Sequence, residues 1–434
     1  MNEINNKLIN HGICSLLVKI INTLLIFSGG IILARSLGPE EYGLYAFAMS
    51  VAMILSIPVT AGLPNLFVRE ISKAWVKNEW GLINLIFNWG SKLIALYTCL
   101  LFIVVVASFQ LLSSIENVTS SIVIFGLFFI PLLAILLTQG AALRGMGSVI
   151  LGQFSSNIIN PSIFIVLITI AAYSEFLSPK IAMLLKVISA AIAIVFGTVL
   201  IIRKKRGNDS NGVPTQSNGI YKSLVALTLI GGFQLILDNS DILILRLFRT
   251  NEEIGIYRVT VQMASVVVFG LFSVNQILHP QFAKNHSLKN IEELQKLVVT
   301  SSKIILLIAI PPVLIFIFKG ELLLRLFFGK PFMVGATTLS ILAFGQLINA
   351  SFGSVGALLN MSGNESDTLK GMLVAVLVNI CLSFLLIPRY GSEGAAFSTA
   401  ASCLIWNFVL RLYVKKRLGI ESCGWFFRAG SISR

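Results

Sequence analysis

Apolar runs of about twenty residues recur along this chain from end to end, and that repetition admits few structures. A run of this length, coiled as an α-helix at about 1.5 Å per residue, matches the hydrocarbon thickness of a bilayer. Hydrocarbon offers no partner to an open backbone group, so a spanning segment must be a helix or part of a closed barrel. A barrel needs short segments of alternating polarity, and none is present. Only 12% of the 434 residues are charged, about half of what a soluble domain carries. The expected fold is therefore an all-α polytopic membrane protein. The first run, 13–34, is longer than a signal-peptide core and lacks a small-x-small cleavage site, so it is read as a retained helix.

Twelve spans are expected, at 12–34, 43–67, 84–109, 119–142, 151–173, 181–202, 223–246, 256–279, 298–318, 335–359, 369–388 and 394–414. The longest break, 203–222, opens on Arg203-Lys204-Lys205-Arg206 and continues in Gly, Asn, Ser and Pro, the composition of a flexible linker. It separates an N-terminal six-helix bundle, 1–202, from a C-terminal one with a basic tail, 223–434. With the N-terminus inside, 20 Lys and Arg fall on cytoplasmic segments and 9 on outer ones. The positive-inside rule thus places both termini and the linker in the cytoplasm.

The two bundles are related. Glu40-Glu41-Tyr42-Gly43-Leu44-Tyr45 follows the first span, and Glu252-Glu253-Ile254-Gly255-Ile256-Tyr257 follows the seventh, 212 residues on. Gly140-Ala-Ala-Leu-Arg-Gly-Met-Gly147 closes the fourth span, and Gly356-Ala-Leu-Leu-Asn-Met-Ser-Gly363 closes the tenth, 216 residues on. Two matches at nearly one offset indicate a duplicated unit. Six spans is an even number, so both copies enter the membrane in the same sense. Such parallel repeats, related by an axis along the membrane normal, belong to alternating-access transporters.

The net charge of +14 does not indicate nucleic acid, because no zinc-finger spacing or long basic helix accompanies it. The five cysteines are scattered and mostly within apolar runs, as small buried hydrophobes are. The three histidines show no ligand spacing, so no metal or cofactor is expected. There is no Gly-Lys-Ser/Thr phosphate loop, no Gly-x-Ser-x-Gly elbow and no His-Glu-x-x-His pair. The chain is not expected to be an enzyme.

The candidates for function are polar groups inside apolar runs. Gln234, Asp238 and Asp241 fall at i, i+4 and i+7 of the seventh span and share one helix face. A carboxylate at the bilayer centre costs roughly 2.5–3.5 kcal/mol, so these face protein or a wet cavity and qualify as a coupling site. Lys19 in the first span and Arg258 in the eighth carry the opposite charge. Gln262 lies one turn beyond Arg258, and Asn275 lies deeper on the same span. Lys19, Arg35, Arg258 and Gln262 are the candidate substrate contacts. Stripes of Ser, Asn and Gln, such as Ser15 with Asn22 and Gln153 with Asn157 and Asn160, serve equally well for helix–helix hydrogen bonds. Pro58, Gly62 and Pro64 in the second span, and Pro311-Pro312 in the ninth, are expected to break their helices as hinges or static kinks. Tyr42, Tyr45, Tyr173, Tyr257 and Tyr390 are expected in the outer aromatic belt, with Trp75, Trp80, Tyr221 and Tyr413 in the inner one.

Ala34-Arg-Ser-Leu-Gly-Pro-Glu-Glu-Tyr-Gly-Leu-Tyr-Ala46 resembles the hairpin after the first helix of bacterial polysaccharide flippases of the Wzx type. Leu143-Arg-Gly-Met-Gly147, Asp241-Ile-Leu-Ile-Leu245 and Gly255-Ile-Tyr-Arg-Val-Thr-Val-Gln262 resemble the same family in the same order, over the chain to about residue 417. The resemblance implies two six-helix bundles around a central cavity. It implies as substrate an undecaprenyl-pyrophosphate-linked glycan, an O-antigen or other surface polysaccharide unit, in the bacterial inner membrane. Other polysaccharide assembly membrane proteins would be its partners. In the related lipid II flippases, basic residues of helices one, two and eight line the cavity. Lys19 and Arg258 match by position, while the second span carries only Arg69 at its cytoplasmic end. Two other readings compete with this one. An organic-cation exporter would use the aspartates as its substrate site, but Lys19, Arg35 and Arg258 oppose it. A membrane-embedded polysaccharide-modifying enzyme is opposed by the repeat and by the lack of an outer domain.

Overall fold

The computed structural model describes residues 2–111, 117–205 and 220–421. In order, its α-helices are α1 (Asn2–Leu55), α2 (Ile57–Thr60), α3 (Leu63–Val76), α4 (Trp80–Leu111), α5 (Asn117–Gly145), α6 (Val149–Phe154), α7 (Asn160–Tyr173), α8 (Pro179–Lys205), α9 (Ile220–Phe248), α10 (Asn251–Ala264), α11 (Phe269–Ser287), α12 (Ile291–Phe328), α13 (Ala336–Phe352), α14 (Val355–Met361) and α15 (Glu365–Leu418). A turn of π-helix, Ser155–Ile159, joins α6 to α7, and a 3-10 turn, Lys330–Gly335, precedes α13. No strand occurs among the described residues. Nine of the described helices are long and apolar enough to cross a membrane, or ten if the bent pair Asn251–Ala264 and Phe269–Asn275 is one span. That count does not reach the expected twelve. Two of the nine are double, however: α1 breaks at Gly38 and α15 at Gly391, so each is two helices joined at a kink.

The chain forms two compact units, Met1–Asn239 and Ser240–Arg434. The division falls inside α9. Most of the basic linker, 206–219, lies outside the described residues, as does the tail 422–434. In the first unit, α3, α4 and α5 share a core built on Leu63, Phe67, Ile71, Ile83, Ile130 and Ala141. The first half of α9 packs at the gap between α2 and α3, where a Cβ on Gly231 would stand 2.6 Å from the Ala61 carbonyl oxygen. Only a glycine permits that approach. In the second unit, Phe282, Leu294, Val298, Leu358, Leu410 and Val414 form a core that also takes Ile420, just past the end of α15.

The duplication read from the sequence recurs in the backbone. Gly147 and Gly363 have φ of 79° and 78°. The next amide reaches back over the helix end in both copies, Ser148 N to Leu143 O and Asn364 N to Leu359 O, each at 2.9 Å. Two helices 216 residues apart thus end in the same left-handed cap.

Some expectations are corrected. The second span is broken as expected, with Ser56 to Gly62 separating α1, α2 and α3. The ninth is not: α12 runs through Pro311-Pro312, and its irregular backbone lies at Lys319. Pro311 and Pro312 cannot donate to the carbonyls of Leu307 and Ile308, a loss that a spanning helix absorbs by small local adjustments of its backbone. The tenth span is instead broken at Gly353, between α13 and α14. Of the tyrosines assigned to the outer belt, Tyr173 and Tyr390 are exposed, but Tyr42, Tyr45 and Tyr257 are buried. Trp80, assigned to the inner belt, is buried too. A helix end at interfacial depth has an inner face as well as an outer one.

Candidate functional site

The second unit holds a carboxylate in a shell of hydroxyl groups. Asp241, 5% exposed, sits on the last turns of α9. The chain turns at Arg249–Thr250, where the Thr250 side chain accepts from Glu253 N and starts α10. That start brings Tyr257 back beside α9, and its hydroxyl donates to Asp241 Oδ2 at 2.7 Å. The two arms of α15 supply the rest. Ser383 on the first arm donates to Oδ1 at 3.2 Å, and Thr399 on the second donates to Oδ2 at 2.5 Å. Ser240 donates to Asn379 Oδ1 at 2.8 Å, one turn before Ser383. The Asn379 amide lies beside the Asp241 carboxylate as well.

No basic side chain pairs with Asp241 among the described residues. Its neighbours are hydroxyls and an amide, which carry lone pairs as well as donors. Such a shell can solvate the ionised carboxylate, hold it protonated, or turn its oxygens toward a cation. The groups present do not form a transition-metal site: no cluster of three His, Cys, Asp or Glu exists among the described residues.

The other sequence candidates are dispersed. Asp238 is exposed and takes the Gln234 amide at 3.0 Å. The two aspartates share a face by count, yet only Asp241 is buried, and Asp238 and Gln234 belong to the first unit. Lys19 and Arg35 are exposed on α1. Arg258, Gln262 and Asn275 are half-buried in the second unit, and Asn275 Oδ1 has no donor among the described residues. None of these hydrogen-bonds to Asp241. Several stripe residues join helices instead: Gln153 donates to Ser15 at 2.8 Å, and Ser189 to Asn160 at 2.9 Å. Lys186 lies over the Phe164 ring at 4.3 Å.

Sequence reasoning missed Ser240, Asn379, Ser383 and Thr399, and placed Tyr257 in the aromatic belt. A weak signal existed. Asn379 and Ser383 fall at i and i+4 of an apolar run, and Tyr257 closes the repeated Glu-Glu-x-Gly-x-Tyr motif.

Comparison with known proteins agrees with this architecture. The model of a family described as polysaccharide biosynthesis protein matches residues 8–286. A capsular polysaccharide biosynthesis protein, CapF of Staphylococcus aureus, is 31% identical over 155 residues, which cover 35% of this chain and 39% of CapF. The probable low-salt glycan biosynthesis flippase Agl15 of Haloferax volcanii is 23% identical over 211 residues, 47% of this chain and 44% of Agl15. The matches thus span less than half the length of these relatives. Among solved structures, an inward-facing multidrug resistance transporter of the MATE family superposes with a TM-score of 0.78 at 14% identity, covering 94% of this chain and 98% of its own. The lipid II flippase MurJ, in an inward closed conformation, gives 0.69 at 15% identity, covering 94% and 87%. Identities this low establish a common fold and nothing finer.

Proposed function

The chain belongs to the polysaccharide biosynthesis protein family, and on that premise we propose that it is a flippase for lipid-linked glycan. The substrate is an undecaprenyl-pyrophosphate-linked oligosaccharide, carried by alternating access from the cytoplasmic to the outer face of a bacterial cytoplasmic membrane. Both termini lie inside. Lys19, Arg35, Arg258 and Gln262 serve the anionic headgroup, which suits their charge and donor capacity. An inside-negative potential favours outward passage of an anion by roughly 2.3 kcal/mol per charge per 100 mV.

Asp241 is the coupling group. The observation that supports this is its burial with no counter-charge among the described residues, inside a shell of Tyr257, Ser383 and Thr399 hydroxyls. A structural ion pair would bring a lysine or arginine. A buried carboxylate lacking one neutralises itself by taking up a proton or a small cation. Asp238, Gln234 and Asn275 have a lesser part, as polar groups along the route.

The test is a strain deleted for the gene, scored for lipid-linked glycan on each leaflet. The reading predicts glycan retained inside, released by the parent gene. Lys19→Ala and Arg258→Ala proteins should reach the membrane and release little. Arg258→Lys should retain part of the activity if charge alone matters, and little if a bidentate grip matters. Normal glycan export in the deletion strain, or loss of organic-cation resistance in its place, overturns the proposal.

A further inference from the structure

The last turns of α3 carry Arg69, Glu70 and Lys73. Glu70 is 6% exposed, against Leu66 of its own helix and Leu85, Ile86 and Trp89 of α4. A carboxylate there is costly unless its oxygens are engaged by cations. They are: Arg69 Nε donates to Oε1 at 2.7 Å, and Lys73 Nζ lies 3.2 Å and 3.4 Å from Oε1 and Oε2. The cations themselves lie on the surface, with side chains 42% and 60% exposed. The buried partner is therefore the anchor, and the exposed partners are what it positions.

Arg69 is held through Nε, and neither of its Nη groups has an acceptor among the described residues. A guanidinium fixed at one edge presents the other, and that free fork matches two oxygens of a phosphate. Lys73, one turn on, adds a second charge, and the three groups sum to +1. Depth is marked by tryptophan. Trp75 is half-buried, and Lys204 lies 5.4 Å from its ring. Tryptophan and lysine together are typical of headgroup level.

We propose that Arg69 and Lys73, positioned by Glu70, bind the phosphate of a lipid headgroup at the cytoplasmic leaflet. The leaflet rests on the orientation proposed above; the chemistry does not. Both a diphosphate-linked carrier lipid and an anionic phospholipid offer this phosphate.

The test titrates purified full-length protein in mixed micelles with undecaprenyl diphosphate and, separately, with phosphatidylglycerol. Arg69→Gln and Lys73→Gln should each weaken binding about tenfold, the worth of one charge-assisted hydrogen bond. Lys77→Gln, which removes a nearby charge without contact to Glu70, should leave affinity within about twofold. Glu70→Gln separates a positioned site from a diffuse basic surface. It removes a negative charge, so simple electrostatics predicts tighter anion binding. Loss of the anchor predicts weaker binding. Tighter binding to carrier than to phospholipid, abolished by Arg69→Gln, identifies the carrier as ligand. Equal affinity for both lipids, with the same loss in Arg69→Gln, identifies a phospholipid site. Unchanged affinity in both Arg69→Gln and Lys73→Gln, or tighter binding in Glu70→Gln, overturns the proposal. Binding is read without transport, so failure of the flippase reading leaves this result interpretable.

Discussion

Asp238 and Asp241 are three residues apart and have different surroundings. Asp241 is enclosed by hydroxyl groups, and Asp238 is exposed with Gln234. Asp241→Asn keeps shape and some hydrogen bonding but loses charge and titration. It is expected to insert at the parent level and to lose export, or the dependence of export on pH or sodium. Asp238→Asn should have the smaller effect. Export assayed over a series of pH and sodium concentrations checks both, and parent-like behaviour of the two variants and of their double would end the coupling role. Tyr257→Phe removes one donor from the carboxylate. A hydrogen bond to a charged group is worth about 1.5–3 kcal/mol, so a clear drop in the melting temperature of the purified variant is expected. Gln234, Asp238 and Asp241 were legible as intramembrane polar groups because each stands out against an apolar run. Tyr257, Ser383 and Thr399 were not, since hydroxyls are common in spans and lie up to 158 residues from Asp241.

At the scale of elements, the repeated Glu-Glu-x-Gly-x-Tyr motif gains a structural purpose in the second unit. Glu253 accepts from Ser392 N at 2.6 Å, and Arg249 donates to the carbonyls of Ile387 and Pro388. The start of α10 thereby clamps the kink of α15. Gly391, at φ 55°, is that kink, and a Cβ there would run into the Glu253 carboxylate. Gly391 also has ψ of −130°, a backbone region that glycine alone occupies readily. Gly391→Ala should therefore destabilise the protein by more than the roughly 1–2 kcal/mol of a left-handed helical residue, through both backbone strain and the clash. Gly363→Ala, at φ 78° with no neighbour within 4 Å of its added carbon, should cost the strain alone. Thermal unfolding of the two variants compares them, and equal losses would count against the clamp.

A second clasp closes the end of α15. Gln295 of α12 pairs with both backbone groups of Glu421, at 2.7 Å and 2.8 Å. Lys415, and after it Arg411, hold the Glu421 carboxyl below the usual carboxylate range. A lowered carboxyl pKa contributes stability above its unfolded value, about 4.3, and loses it as pH falls through the folded value. The clasp should therefore hold from pH 8 to pH 5 and open only below about 4.3. Hydrogen exchange of the Glu421 amide at a series of pH values, corrected for intrinsic rate, would show it. Loss of protection already at pH 6 would contradict the assignment.

For the whole molecule, the lysine and arginine asymmetry predicts a topology. In a variant without native cysteines, a Cys at position 117 should react with an impermeant thiol reagent added to intact cells, and one at position 211 should not. Reaction at 211 would reverse the orientation. Chain length, apolar run length and the duplicated motifs determined the membrane class, the helical fold and the repeat, because backbone hydrogen bonding in hydrocarbon is a local demand that each segment meets alone. The family resemblance rested on those same local stretches. Only the tertiary structure decided which aspartate is buried, that Tyr257 turns inward, that the tenth span breaks at Gly353, and that the units divide within α9. The physical reason is the solvent. Lipid tails are as apolar as leucine, so a span that is apolar all round shows no stripe to mark its protein-facing side. Its phase about its own axis is set by contacts with helices far away in the chain, and those exist only once the bundle has packed.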